Sequence, residues 1–287
     1  EMTRLAKIAK PDTCVITNIG TCHLENLGDR DGVLKAKTEI FQSMKPNGHI
    51  VLNGDDDKLI TVREYNGVKP VFFGLNSERD VYADQIESKG LKGVACRIHL
   101  GEDAFDVLVP TPGIHMVYNA LAAAAVGRIY GLTIEEIRRG IESLETIRGR
   151  FKMIETDKFL VVDDCYNANP VSMMASIDVL SQAKGRKIAV LGDMGELGSE
   201  EKKLHGMVGT HFAGKKIDAL FVTGTLAGEI AEEARRVAPE TRVYAEPDKE
   251  ALEEALLEYR RPGDTILVKA SHFMGFSEIV KKLEQPQ

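Results

Sequence analysis

No apolar run in this sequence approaches the roughly 20 residues a helix needs to cross a bilayer. No basic segment followed by an apolar stretch and a small-residue cleavage pattern opens it either. Membrane insertion and secretion are therefore not expected, and the cytoplasm is the expected compartment. Cysteine is scarce: 4 residues in 287, at positions 14, 22, 96 and 165. Their number and wide spacing fit neither a disulfide framework nor a paired zinc knuckle, so reduced thiols are expected. Cys22 beside His23 raises a zinc reading, but Cys14 falls within a strand-like run, which favours packed core cysteines. Dense Lys/Arg tracts are missing, and 37 basic against 44 acidic residues give a formal charge of −7, which provides no general attraction to nucleic acid or anionic membrane. Internal repeats and low-complexity tracts are absent. So is a Walker loop, whose end alone is imitated by Gly214-Lys215-Lys216-Ile217. The dinucleotide turn is missing too. Gly192, Gly195 and Gly198 follow a G-x-x-G-x-x-G spacing, and Asp193 and Glu196 would face the pyrophosphate such a turn must attract. An NAD-dependent enzyme would bind nicotinamide dinucleotide there. Glycines that merely tighten a strand-to-helix turn are the plainer reading.

What remains is a chain 43% hydrophobic and 28% charged, able to bury a core and long enough for two domains. Glu1 to Lys10 reads as a helix with Met2, Leu5, Ile8 and Ala9 on one face. It starts without an initiator Met and looks like an internal cut, midway through an α/β domain. Thr13 to Ile19 reads as a buried strand, Asp31 to Met44 as a helix and His49 to Asn53 as a second strand. Short alternating segments at Pro70 to Phe73, Val81 to Ile86, Val94 to Leu100 and Phe105 to Val109 suggest a β-rich extension with one wet face. An alanine-rich helix over Ile114 to Tyr130 follows, then one capped by Thr133 and ending near Ser143. A boundary near Thr146 to Gly149 gives domains 1–146 and 147–287. Beyond it, strands at 159–163, 187–191, 218–223, 241–245 and 264–270 alternate with helices near 171–184, 199–213, 226–237, 248–260 and 276–284. That is a doubly wound, largely parallel sheet.

Two loops concentrate polar chemistry at strand ends of that sheet. Asp163-Asp164-Cys165-Tyr166-Asn167-Ala168-Asn169-Pro170 gathers two carboxylates, a tyrosine and two carboxamides, and Gly192 to Gly198 opens the next strand end. Open α/β sheets place ligands at that edge.

These stretches, in order, resemble the Mur ligase family: Ile16-Thr17-Asn18-Ile19-Gly20; His23-Leu24-Glu25; Lys35-Ala36-Lys37 with Glu39-Ile40-Phe41; Asn119-Ala120-Leu121-Ala122-Ala123-Ala124; Arg148-Gly149-Arg150-Phe151; the 163–170 loop; Gly192-Asp193-Met194 with Glu196-Leu197-Gly198; and Leu267-Val268-Lys269-Ala270-Ser271. The resemblance spans nearly the whole chain. It implies an α/β protein: a truncated central ATPase domain followed by a Rossmann-like, doubly wound C-terminal domain. A UDP-sugar domain and the opening half of the ATPase domain, with its phosphate loop and magnesium-binding glutamate, would lie upstream. The chain alone is then expected to be inactive.

The implied activity is an ATP-dependent amide ligation adding D-alanyl-D-alanine to UDP-N-acetylmuramoyl-tripeptide through an acyl phosphate, in a monomer with no nucleic-acid partner. The implied cofactors are ATP and Mg²⁺. His23 matches a magnesium-site histidine, although imidazole is an unusual ligand for so hard a cation. Lys37 matches a lysine that some family members carbamylate, exchanging +1 for −1 toward the metal or phosphate. A plain surface lysine is the alternative. Asn119 matches the asparagine that reads the adenine edge, since a carboxamide offers both donor and acceptor; His115-Met116 departs from the His-Asn often found there. Arg150 stands where a guanidinium reaches ATP phosphates, with Arg148 as its structural neighbour. Asp164 matches the acid that bonds the ATP ribose, with Tyr166 and Asn167 lining the same pocket, so that Asn119 and Asp164 would hold one adenosine from two domains. Cys165 has no nearby histidine in sequence to make it a nucleophile. Lys269, Ser271 and His272 match the loop that meets the incoming peptide, with Ala270 and His272 departing from the frequent Gly and Arg. Asp193 and Glu196 either contact the amine of the second substrate or hold their turn. A non-catalytic nucleotide- or peptide-binding module and another Mur or folylpolyglutamate-type ligase are the alternatives.

Overall fold

The computed structural model describes residues 2–21 and 24–285. They divide into two compact units, 1–144 and 145–287, each with its own six-stranded sheet among the described residues.

The first unit runs α1 (Met2–Ala9), β1 (Thr13–Ile16), α2 (Leu24–Leu27), α3 (Arg30–Thr38), β2 (His49–Asn53), β3 (Val71–Gly74), β4 (Val81–Ser88), β5 (Val94–Leu100), β6 (Asp103–Val109), α4 (Ile114–Ile129) and α5 (Ile134–Glu142). Its strands lie in sequence order. β1 to β4 pair in parallel, and β4, β5 and β6 form an antiparallel meander. The period-2 alternation of strands sorts side chains between the faces. Ile50 and Leu52 join Cys14, Val33 and Phe41 in one cluster, whereas Val51 joins Phe73, Ile98, Leu121 and Ala124 in the other. Ala120, Ala122, Ala124 and Ala125 of α4 are buried, as expected of small residues that let backbones approach, and Ala123 faces outward. α5 opens with a reciprocal capping box between Thr133 and Glu136.

Two expectations are corrected here. The strand over 13–19 stops at Ile16 because side chains take over the next backbone groups: Asn53 Nδ2 donates to the Thr17 carbonyl (3.0 Å), and the Ile19 N–H donates to Asp56 Oδ2 (2.7 Å). The helix over 31–44 is α only to Thr38. It tightens to a 3₁₀ turn over Glu39–Ser43, where Glu39 accepts the Thr3 N–H and hydroxyl at 3.1 and 2.5 Å.

The second unit runs β7 (Lys152–Glu155), β8 (Leu160–Asp163), α6 (Pro170–Ser181), β9 (Lys187–Leu191), α7 (Glu201–Thr210), β10 (Ala219–Val222), α8 (Ala227–Val237), β11 (Arg242–Ala245), α9 (Lys249–Tyr259), β12 (Thr265–Lys269) and α10 (Ser277–Glu284). The strand order is β11-β10-β9-β12-β8-β7, parallel except for the last pair. β7, which the sequence reading omits, is a four-residue antiparallel edge. Ile188, Val190, Phe221, Ile266 and Val268 face Leu252, Leu256, Ile279 and Leu283 of α9 and α10. Ala189, Leu191, Leu220, Val222 and Leu267 are buried as well, with α6 against β9 and β12 and α8 against β10. Burial on both faces explains why these strands read as unbroken apolar runs. Across α9 and α10, Lys249 pairs with Glu278 and Glu253 with Lys282.

Candidate functional site

β8, β12 and β9 are neighbours and parallel, so the loops that follow them emerge side by side at the C-terminal edge of the second sheet. At the end of β8, Asp163 is buried. Its Oδ2 accepts the Gly149 N–H (2.8 Å) and its Oδ1 the Cys165 thiol (2.9 Å). Burial first, and then Asp163, push that thiol up to about 12, so Cys165 is a packed core thiol rather than a nucleophile. Gly149 sits at φ +76, where an added Cβ would lie 2.9 Å from the Tyr166 Cβ; both the conformation and the close approach require glycine.

Asp164 follows, with its side chain 15% exposed. Oδ2 accepts from Lys269 Nζ (2.6 Å) and Ser176 Oγ (2.8 Å), and Oδ1 from the Phe151 N–H (3.1 Å). An ionised carboxylate offers about four lone-pair sites, so one on Oδ1 remains. Above this anchored acid the Tyr166 ring is half exposed. The exposed Arg150 guanidinium stacks on it at 4.3 Å from the ring centroid, and His272 is tilted against it at 5.5 Å. Cation–π stacking pins the flat face of Arg150 while leaving its N–H fork available to an anion. Asn167 is exposed, its Oδ1 accepting the Ala168 N–H. Asp164, Arg150, Tyr166, Asn167 and His272 are thus brought together.

Two residues expected to meet substrate are placed otherwise. The Lys269 side chain is 2% exposed and donates to Asp164 and to the Asn167 carbonyl (3.0 Å). Its position as the last residue of a strand buried on both faces turns it inward. Ser271 is also buried. Its Oγ accepts the Gly195 N–H (2.9 Å) and its N–H donates to the Asp193 carbonyl (3.0 Å). Asp193 holds its turn: its carboxylate accepts the N–H groups of Thr225, Leu226 and Ala227 at 2.7–3.0 Å, capping α8. The 192–198 loop therefore has no free cradle for a pyrophosphate, with the Met194 N–H bound to His205 Nε2 (2.9 Å) and the Gly195 N–H to Ser271. Arg148 makes a two-pronged ion pair with Glu284.

In the first unit, Asn119 is exposed on α4, and its Nδ2 contacts Met116 Sδ at 3.4 Å, a weak acceptor readily exchanged. Lys37 Nζ donates to the Asn18 carbonyl (2.8 Å), at the loop following β1. His23 and Cys22 lie outside the described residues, among which no group of three or more His, Cys, Asp or Glu is placed to hold a metal ion. Sequence reasoning missed Ser176 and His205. Ser176 had a signal, a hydroxyl at a core position of α6 beside Met173, Ile177 and Leu180. His205, wholly buried with Nδ1 2.7 Å from the Glu201 carbonyl, had none.

Residues 1–127 match the Mur ligase middle domain and residues 149–272 the Mur ligase glutamate ligase domain. The chain belongs to the Mur ligase family. It is 36% identical over 286 residues to the UDP-N-acetylmuramoyl-tripeptide--D-alanyl-D-alanine ligase of Bacillus subtilis, covering 99% of this chain and 61% of the relative. Among solved structures, MurF from Acinetobacter baumannii superposes with a TM-score of 0.86 at 31% identity, covering 100% of this chain and 62% of that one. The MurF ligase of Thermotoga maritima in complex with ADP superposes with a TM-score of 0.82 at 28% identity, covering 98% and 64%. The chain thus spans about three fifths of the length of the curated relatives it matches.

Proposed function

We propose that this chain works in an ATP-dependent amide ligase of peptidoglycan precursor synthesis, joining D-alanyl-D-alanine to UDP-N-acetylmuramoyl-tripeptide. The observation that carries the reading is the anchored Asp164 beneath the Tyr166-stacked Arg150. It is supported by the similarity of the chain, nearly end to end, to a ligase so named. In this reading residues 1–146 belong to a central ATP-binding domain and 147–287 to the ligase domain.

The residues fit a nucleotide. In the second unit Asp164 keeps one acceptor for a ribose hydroxyl, with Tyr166 and Asn167 as the exposed wall beside it; in the first unit Asn119 presents a donor–acceptor pair suited to adenine. Arg150 supplies charge for phosphate oxygens. The tripeptide carboxylate takes the terminal phosphoryl group of ATP, releasing ADP. The amine of D-alanyl-D-alanine then attacks the acyl carbon, and the tetrahedral adduct expels phosphate as the amide forms and the amine loses its proton. Such transfers depend on positioning and charge neutralisation more than on a protein nucleophile, consistent with an inert Cys165. Mg²⁺ would accompany ATP and neutralise phosphate charge; the family resemblance assigns it His23, and Lys37 only as a carbamate, since the ammonium, which donates to the Asn18 carbonyl, offers no lone pair. His272, exposed beside Tyr166, is the group this reading assigns to the peptide. ATP and a UDP-linked substrate locate the reaction in the cytoplasm.

A chimera tests this: the chain replaces the matching stretch of the Bacillus subtilis relative, and phosphate release is followed. Release that requires both the UDP-linked tripeptide and D-alanyl-D-alanine is expected. Nucleotide binding without any substrate-dependent release would favour a non-catalytic module.

A further inference from the structure

Lys269 occupies a position that the proposed reaction does not yet use. It ends β12, the strand lodged between β8 and β9, and lies in register with Leu191. Its carbonyl accepts the Gly192 N–H (3.1 Å), while its ammonium, 2% exposed, donates to Asp164 Oδ2 (2.6 Å) and to the Asn167 carbonyl (3.0 Å). One residue therefore binds the loop after β9 through its backbone and the loop after β8 through its side chain. Two residues on, Ser271 repeats the connection to the β9 loop through Asp193 and Gly195.

We propose that Lys269 is a positioning residue for the nucleotide: it holds Asp164 in place and, through the Asn167 carbonyl, fixes the backbone that carries Tyr166. This rests on the reading of Asp164 as the ribose acceptor. The physical case is one of saturation. Lys269 and Ser176 occupy both lone pairs of Oδ2, and the Phe151 N–H occupies one of Oδ1, so the carboxylate cannot rotate without breaking three bonds and presents a single remaining acceptor. A ligand hydroxyl meeting a carboxylate already held in one orientation does not have to order it. Because the same lysine begins the 269–275 loop, any shift of that loop is transmitted to Asp164. Lys269 thus links the strand end assigned to peptide with the acid assigned to ribose, without touching either ligand.

Steady-state kinetics of the Bacillus subtilis chimera described above and of its K269M, D164N and K269M/D164N variants, with hydrogen–deuterium exchange of each, test the proposal. K269M is expected to raise KM for ATP by roughly ten- to a hundredfold, the range of a lost hydrogen bond to a charged group. KM for D-alanyl-D-alanine should stay within about twofold. The double variant should be no worse for ATP than D164N alone. Exchange in residues 149–151 and 164–169 should quicken in K269M, while 223–227 stays protected. A rise confined to the D-alanyl-D-alanine KM would overturn the proposal, as would multiplying effects in the double variant or unchanged exchange at 164–169. If K269M does not fold, comparing the double variant with D164N alone decides, because both charges are then removed together. A chimera that turns over no ATP with both substrates present would count against the ligase reading, while the exchange result still judges the role of Lys269.

Discussion

At the residue scale the thiols show how burial sets reactivity. Burial pushes Cys14 and Cys96 up to about 11 and Cys165, helped by Asp163, up to about 12, from an ordinary value of 9.0. At pH 8 only about one Cys165 in ten thousand is then a thiolate. In a Cys22→Ser background, a thiol reagent at pH 8 should label no cysteine of the folded protein and all three once denaturant is added; prompt labelling of one equivalent would contradict the packing described. The same shifts have a sign in stability. The folded state keeps these groups protonated above the pKa they have when unfolded, so their contribution is intact below about pH 9 and declines as pH rises towards 11–12. The thermal midpoint should fall over that alkaline window, and less steeply in Cys165→Ser. Residue identity was legible in the sequence while partnership was not. Asp164, Tyr166 and Arg150 could be picked out by type and motif. Yet the bond from Lys269 to Asp164 spans 105 positions, and no periodicity reports it. The resemblance therefore assigns Lys269 and Ser271 to the incoming peptide, although the fold turns both inward.

At the element scale, caps and cross-bonds decide where helices and strands end. α8 begins where the Asp193 carboxylate, 7% exposed, gathers three N–H groups from a different loop. An acid at a helix N-terminus also meets the positive end of the dipole. Asp193→Ala takes the acceptor from one buried donor, Ala227, and two part-buried ones and should cost about 3 kcal/mol, and Asp193→Asn, which keeps one oxygen, roughly half of that; equilibrium unfolding in urea measures both. Gly224 is bound to the same arrangement. At φ +132, a Cβ would lie 2.3 Å from Asp193 Oδ1, so Gly224→Ala should be as damaging as losing the acid. The unbroken apolar strands β9, β10 and β12 were readable because both of their faces are buried. β7 was not, since Lys-Met-Ile-Glu carries a charge at each end and stands at an edge. β1 was overextended because the side chains of Asn53 and Asp56, more than 30 positions away, end it.

On the scale of the whole molecule, each unit carries its own sheet and its own apolar clusters. Residues 145–287 expressed alone should therefore fold cooperatively, giving a sigmoidal thermal transition by circular dichroism; a featureless melt would show that their core needs more than they contain. The paired charges on α9 and α10 have one more consequence. Lys249 faces Glu278 and Glu253 faces Lys282, four positions further along each helix and with the signs exchanged. Sliding α10 by one turn either way would set Lys282 against Lys249 or Glu278 against Glu253. The two helices thus read each other like a key and its wards, and both ion pairs close together only in the observed register.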